Sequence, residues 1–174
     1  MLSLHKLMVP AALVLTTSLV PFAQASGSRD GVASRAPHQA AATSGDCKVK
    51  KVAFVTDDAT GASTTSTTYV NVPNAAVSFS QGGRTTGCIV VNFSAWAFAP
   101  GTALMMVRAQ LDGVDMAPGG DQQFTATDGT FAVAHAFSWT ANAAVGNHTV
   151  QIQFRSFDGQ SVFIHKHTSS VHHL

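Results

Sequence analysis

The chain reads as an all-β protein: two antiparallel sheets packed face to face, an immunoglobulin-like or jelly-roll sandwich of eight to nine strands. Three observations predict it. Apolar residues recur at every second position in short runs, Gly-, Asn- and Asp-containing turns punctuate those runs, and no segment carries an apolar stripe at helical spacing. The composition agrees, being rich in Ala, Thr, Ser, Gly and Val, with only 11% charged residues.

In chain order, residues 1–25 read as a secretory signal peptide. One positive charge at Lys6 precedes the apolar run Leu7 to Val20, and Ala23-Gln24-Ala25 has the form of a cleavage site. A membrane anchor would need roughly 18 uninterrupted apolar residues, and Pro10, Thr16, Thr17 and Ser18 break this run. Stable membrane insertion is therefore not expected, and the predicted location is secreted or periplasmic. Residues 26–46 are small and polar without periodicity, and read as a disordered leader that cannot bury enough surface to offset its ordering entropy.

The domain is expected over 47–174. Strands are predicted at Lys48 to Thr56, Tyr69 to Val72 and Ala75 to Ser80, followed by the turn Gln81-Gly82-Gly83-Arg84. Cys88 to Ala95 sets Ile89, Val91 and Phe93 against Val90, Asn92 and Ser94. Leu104 to Leu111 sets Met105, Val107 and Ala109 against Arg108 and Gln110, and Asp112-Gly113 then reverses the chain. Gln122 to Ala126, Thr130 to Thr140, His148 to Phe157 and Ser161 to His172 complete the set. Asp158-Gly159, the strongest turn signal, predicts a hairpin between the last two.

The phrases HTVQIQFRSFDGQSVFIHKHT, VSFSQGG, CIVVNFSA and MMVRAQLDG resemble a set of exported bacterial β-sandwich domains, over Thr67 to Thr168. The resemblance implies the sandwich and transfers no catalytic or binding residue.

Without Lys6 the chain holds nine basic and nine acidic residues, the acids all aspartate, so no field exists to concentrate nucleic acid. Cys47 and Cys88, in an exported chain, predict a disulfide. It would close a loop of about 40 residues, for which the chain-entropy contribution is roughly 4 kcal/mol as an upper figure.

Four of the eight histidines fall in the last ten residues. On a strand, residues two apart share a face, so His165 and His167 are candidate ligands of a transition metal, with Lys166 pointing the other way. A third ligand would have to come from His135, His172, His173 or an aspartate, and no HExxH, zinc framework or EF-hand loop is present. The competing expectation is a terminal strand in which His172 and His173 fray in solvent. His135 alternates with Phe131, Val133, Phe137 and Trp139 and reads as a core histidine. As a catalytic base it would need a nucleophile that no GxSxG supplies.

Trp96 and Phe98, in FSAWAFAPG, are candidate ligand-binding aromatics beside Pro100-Gly101, unless Trp96 closes the end of the core instead. Tyr69 and Phe157 are weaker candidates of the same kind, and Arg108 and Arg155 are surface cations that would suit an anion. Leu104, Met106 and Val90 lie on faces expected to point outward, where they would allow a homo-oligomer. The predicted function is a non-enzymatic binding, surface or structural module for a glycan or protein, with no cofactor. The alternative is a metal-dependent or hydrolytic enzyme using the C-terminal histidines.

Overall fold

The computed structural model describes residues 46–126 and 131–174. The signal peptide, nearly all of the polar leader and the Asp128-Gly129 turn lie outside these residues. Eleven strands are present: β1 (Lys51–Asp57), β2 (Ala62–Thr64), β3 (Val70–Asn71), β4 (Val77–Gln81), β5 (Gly87–Phe98), β6 (Leu104–Leu111), β7 (Val114–Asp115), β8 (Gln122–Ala126), β9 (Val133–Ala143), β10 (Gly146–Ser156) and β11 (Val162–His173). Three of them, β2, β3 and β7, are only two or three residues long, and β2 and β7 lack a legible alternation, which is why the sequence suggests eight to nine.

The strands form two antiparallel sheets. The five-stranded sheet runs β1-β11-β5-β9, with β2 beside β11, and the six-stranded sheet runs β3-β10-β6-β7, with β4 beside β10 and β8 beside β6. The expected all-β sandwich is therefore present. Alternation decides what it buries. In β5, Ile89, Val91, Phe93 and Ala97 point inward, and in β10, Val150, Ile152 and Phe154 do the same. Trp139 of β9 is fully buried among them. At roughly 3–5 kcal/mol for truncating such a residue, this interior is what holds the sheets together.

Turn chemistry is met locally. Asp112 and Gly113 both take positive φ, 48° and 84°, as a two-residue hairpin between β6 and β7 requires. Asp158-Gly159 behaves differently. Gly159 has a φ of 82°, but β10 and β11 belong to opposite sheets, so the predicted hairpin is an arch across the sandwich. The dipeptide dictates a reversal of direction, whereas pairing is decided by which sheet each apolar face must cover.

Cys47 and Cys88 are disulfide-bonded, with Cα atoms 5.3 Å apart, tying the chain ahead of β1 to the start of β5. Met106, expected outward and free, is only 8% exposed, because it is flanked in register by Arg155 and Gln123. Among the described residues no helix is long and apolar enough to cross a membrane.

Candidate functional site

The outward positions of the five-stranded sheet around Trp96 carry short polar side chains and exposed rings. Across β1, β11, β5 and β9, one row reads Phe54, Ser170, Asn92, Ser138, and the next reads Thr56, Thr168, Ser94, Ala136. Thr56 and Thr168 share a hydrogen bond of 3.2 Å between their hydroxyls, and Ser138 donates to Asn92 Oδ1 at 2.7 Å. Phe54 is 67% exposed and Trp96 55% exposed. Trp96 does not close the core. Its strand carries Ala95 and Ala97 inward on either side of it, and Trp139 of β9 holds the interior position instead.

Beside Trp96 the sheet departs from regular pairing. Ile164 pairs with Ala97 and His167 with Ala95, so His165 and Lys166 together oppose the single residue Trp96. This is a β-bulge, and it re-aims side chains. His165 and Lys166 both point outward, while Ile164 and His167 are buried. The expectation that His165 and His167 share a face is thereby overturned, as is the expectation that Lys166 faces away from His165: the extra residue shifts the alternation by one.

Trp96 is the common wall of two open depressions. One, of about 370 Å³, is lined by Thr56, Ser94, Thr168, Asp58, Lys166 and Ala134, together with Asp57, His167, Ala95 and His135. The other, of about 260 Å³, is lined by Asp58, Ala59, Thr60, Gly61, His165 and Lys166. The loop between them is set by Asp57. Its Oδ1 accepts from the backbone N–H groups of Ala59 at 3.0 Å and Thr60 at 2.8 Å, and its Oδ2 accepts from Asn74 Nδ2 at 2.7 Å. The Asn74 bond first, then those of Thr60 and Ala59, hold the Asp57 carboxyl well below the usual carboxylate range.

Phe98 has a supporting position. Its ring is stacked on Phe163, with centroids 4.4 Å apart, and lies parallel to the His165 ring at 5.8 Å, so it braces the imidazole that lines the smaller depression. His167 is 5% exposed, its Nδ1–H reaching the His165 carbonyl at 3.3 Å and its Nε2 lacking a hydrogen-bond partner. His135 lies in the same transverse row, two strands away across Ala95, and its ring packs 5.5 Å from Phe124. The apolar face expected around His135 holds on one side only: Trp139 is buried, but Phe131 and Val133 are exposed. His172 and His173 do not fray. Both are paired with β1, and His173 is buried against Phe79 with ring centroids 5.1 Å apart. Among the described residues no three His, Cys, Asp or Glu side chains converge as a metal-binding group.

Tyr69, Arg108 and Arg155 meet on the outer face of the other sheet. The Arg108 guanidinium lies 4.1 Å from the Tyr69 ring centroid and that of Arg155 lies 5.5 Å from it. Tyr69 donates to Asp121 Oδ1 at 2.6 Å, and Arg155 grips the same carboxylate with two nitrogens. Burial, then the Asp121 bond, pushes the Tyr69 hydroxyl far above its ordinary value. Arg155 also lies 5.5 Å from the Phe157 ring. These cations are neutralised from within.

Sequence alone leaves out Phe54, Thr56, Asp58, Ser94, Lys166 and Thr168 as site residues. The available signal was the run of Ser and Thr at alternate positions opposite apolar ones, which is ordinary for a solvated sheet face.

No family model and no curated protein matches the chain. Among solved structures it is similar to a family 35 carbohydrate binding module from Clostridium thermocellum, at 17% identity and a TM-score of 0.36, over 67% of this chain and 86% of that one. It is also similar to a CBM35 from Cellvibrio japonicus Abf62, at 17% identity and a TM-score of 0.34, over 68% and 92% of the two chains. Likeness at this level assigns neither a site nor a ligand.

Proposed function

We propose that the protein is a non-enzymatic, secreted binding module that takes carbohydrate on the outer face of its five-stranded sheet. One observation carries the reading: an indole that is 55% exposed walls an open, largely apolar groove to which Thr56, Ser94, Thr168, Lys166 and the exposed Asp58 bring polar groups. A sugar ring offers a C–H face that packs on an aromatic plane and hydroxyls that both donate and accept. Ser94, Thr56 and Thr168 answer in kind, Lys166 donates and Asp58 accepts. The Cys47–Cys88 bridge suits a protein working outside the cytoplasm.

Hydrolysis fits this groove less well. A glycosidase pair needs one carboxyl kept protonated, whereas Asp57 is held ionised by three donors and Asp58 is exposed beside it.

The test uses the two tryptophans, one exposed and one fully buried. Iodide should quench the emission of Trp96 and leave that of Trp139, and a bound polysaccharide should protect Trp96. In affinity electrophoresis through gels containing soluble glucans, xylans and chitin derivatives, Trp96→Ala should lose retention by at least 30-fold in affinity, about 2 kcal/mol. Retention unchanged in Trp96→Ala, or iodide access unaltered at saturating polysaccharide, would overturn the reading.

A further inference from the structure

Trp96 faces two depressions, and the bulge in β11 furnishes each with its own side chains. Thr168, two positions beyond Lys166, lies with Ser94 in the larger depression; His165, on the other side of Lys166, lies in the smaller. Lys166, Asp58 and Trp96 line both. A regular strand would put only one outward side chain opposite Trp96, so the second depression owes its imidazole wall to the inserted residue. That imidazole is braced from behind by Phe98, at 5.8 Å between parallel rings, and Phe98 is itself stacked on Phe163. The rim of the smaller depression is fixed by the Asp57 carboxylate, which holds the Ala59 and Thr60 amides. Both walls are thus ordered without a ligand, which keeps the entropic cost of binding there low.

From this geometry we infer that the site takes at least two consecutive neutral sugar units, one on each side of Trp96, with Lys166 and Asp58 at the linkage between them. The inference rests on the carbohydrate reading and adds the ligand's length and charge. The first unit lies over Thr56, Ser94 and Thr168. The second lies against His165 and the 59–61 backbone. Neutral sugars are specified because the one lysine of the larger depression stands against two carboxylates, Asp57 and Asp58, leaving no net positive field for a sugar acid. On the wall common to both depressions Lys166 supplies a donor and Asp58 an acceptor, the complement of a sugar's hydroxyls.

The experiment is isothermal titration calorimetry with matched mono-, di- and tetrasaccharides of β-1,4-glucose, β-1,4-xylose, β-1,4-N-acetylglucosamine and α-1,4-glucose. At least one series should tighten by 10-fold or more from mono- to disaccharide. In that series His165→Ala should bring the two affinities within about two-fold of each other, whereas Ser94→Ala should weaken both and preserve their ratio. Equal mono- and disaccharide affinities in the wild type would overturn the two-unit inference while leaving carbohydrate binding intact. A ratio untouched by His165→Ala would overturn it too, as would tighter binding of galacturonate oligomers than of every neutral series. Absence of binding in every series and in the polysaccharide gels would sink both together.

Discussion

On the outer face of the six-stranded sheet, polar side chains bind one another. Arg108 donates to Gln153 at 2.8 Å and reaches Asp115, Gln110 donates to the same aspartate, and Gln153 passes on to Asn71 at 2.8 Å. On the outer face of the five-stranded sheet the two rows around Trp96 hold Ser, Thr, Ala and Asn, with Trp96 and Phe54 standing out of them. Strands lie roughly 5 Å apart in either sheet. Arg and Gln span that gap and satisfy each other, while Ser and Thr reach only a neighbour. Long side chains therefore close the first face around Tyr69, whereas short ones leave a depression of about 510 Å³ beside β4, lined by Ser78, Ser80, Asn147 and Thr149, and grooves beside Trp96 on the second.

The comparison breaks most visibly by removing the hub of the closed face. Tyr69→Ala takes away the ring under two guanidiniums and the donor to Asp121. We expect a loss of about 2–3 kcal/mol in urea unfolding, with oligosaccharide affinity unchanged. An affinity loss as large as that in Trp96→Ala would mean that the two faces are not independent.

Carrying the closed face's chemistry onto the open one is the next test. Thr168→Arg places a long cation in the larger groove, within reach of Asp58. Oligosaccharide affinity should fall by at least 10-fold, with unfolding free energy within about 0.5 kcal/mol of wild type, the range usual for surface substitutions. Undiminished affinity would place the sugar elsewhere.

Acid separates the faces more gently. Arg155 first, then Tyr69, lowers the Asp121 carboxyl below its ordinary 3.8. A carboxylate depressed in the folded state stabilises it above the unfolded value, and that contribution is lost as pH falls through the folded value. The stability difference between wild type and Asp121→Asn should be constant above about pH 5 and shrink below 3.8. A difference that grows on acidification would refute the assignment.

The smallest effect concerns the edge between the sheets. His148 Nδ1 is 2.6 Å from Asp112 Oδ2 and its Nε2 is 2.9 Å from the Ala144 carbonyl, so both ring nitrogens face acceptors and the charged form is favoured. The Asp112 bond first, then that to Ala144, raises His148 above 6.5, and His148 first, then the Thr149 amide, lowers Asp112 below 3.8. The pair's contribution should be complete between those two values. Above 6.5 it should fall as the imidazolium loses its proton at its raised value. His148→Gln should flatten that fall in denaturant titrations from pH 6 to 9.

Much of the fold is legible residue by residue. Ile89, Val91 and Phe93 announce the inner face of β5, and Asp112-Gly113 announces its turn. The site is legible only in part. Trp96 stands out by type, yet the same letter in the same alternation suits a core plug, and only the alanines on either side of it and the presence of Trp139 inside send it outward. His165-Lys166-His167 misleads, because an inserted residue leaves no trace in composition while inverting every later face of the strand. Tyr69, Arg108 and Arg155 are far apart in the chain and meet only because β3, β10 and β6 are neighbours.

What the amino-acid sequence determined by itself was local: where strands run, which of their faces is apolar, where the chain reverses and that two cysteines are available to pair. Period-two alternation and turn chemistry act over a few residues and need no partner. Tertiary structure alone decided which strands became neighbours, where β11 bulges, and hence which rings and hydroxyls share the face around Trp96. Those outcomes depend on matching two whole apolar surfaces, a property of the assembled sheets that no single stretch of sequence carries.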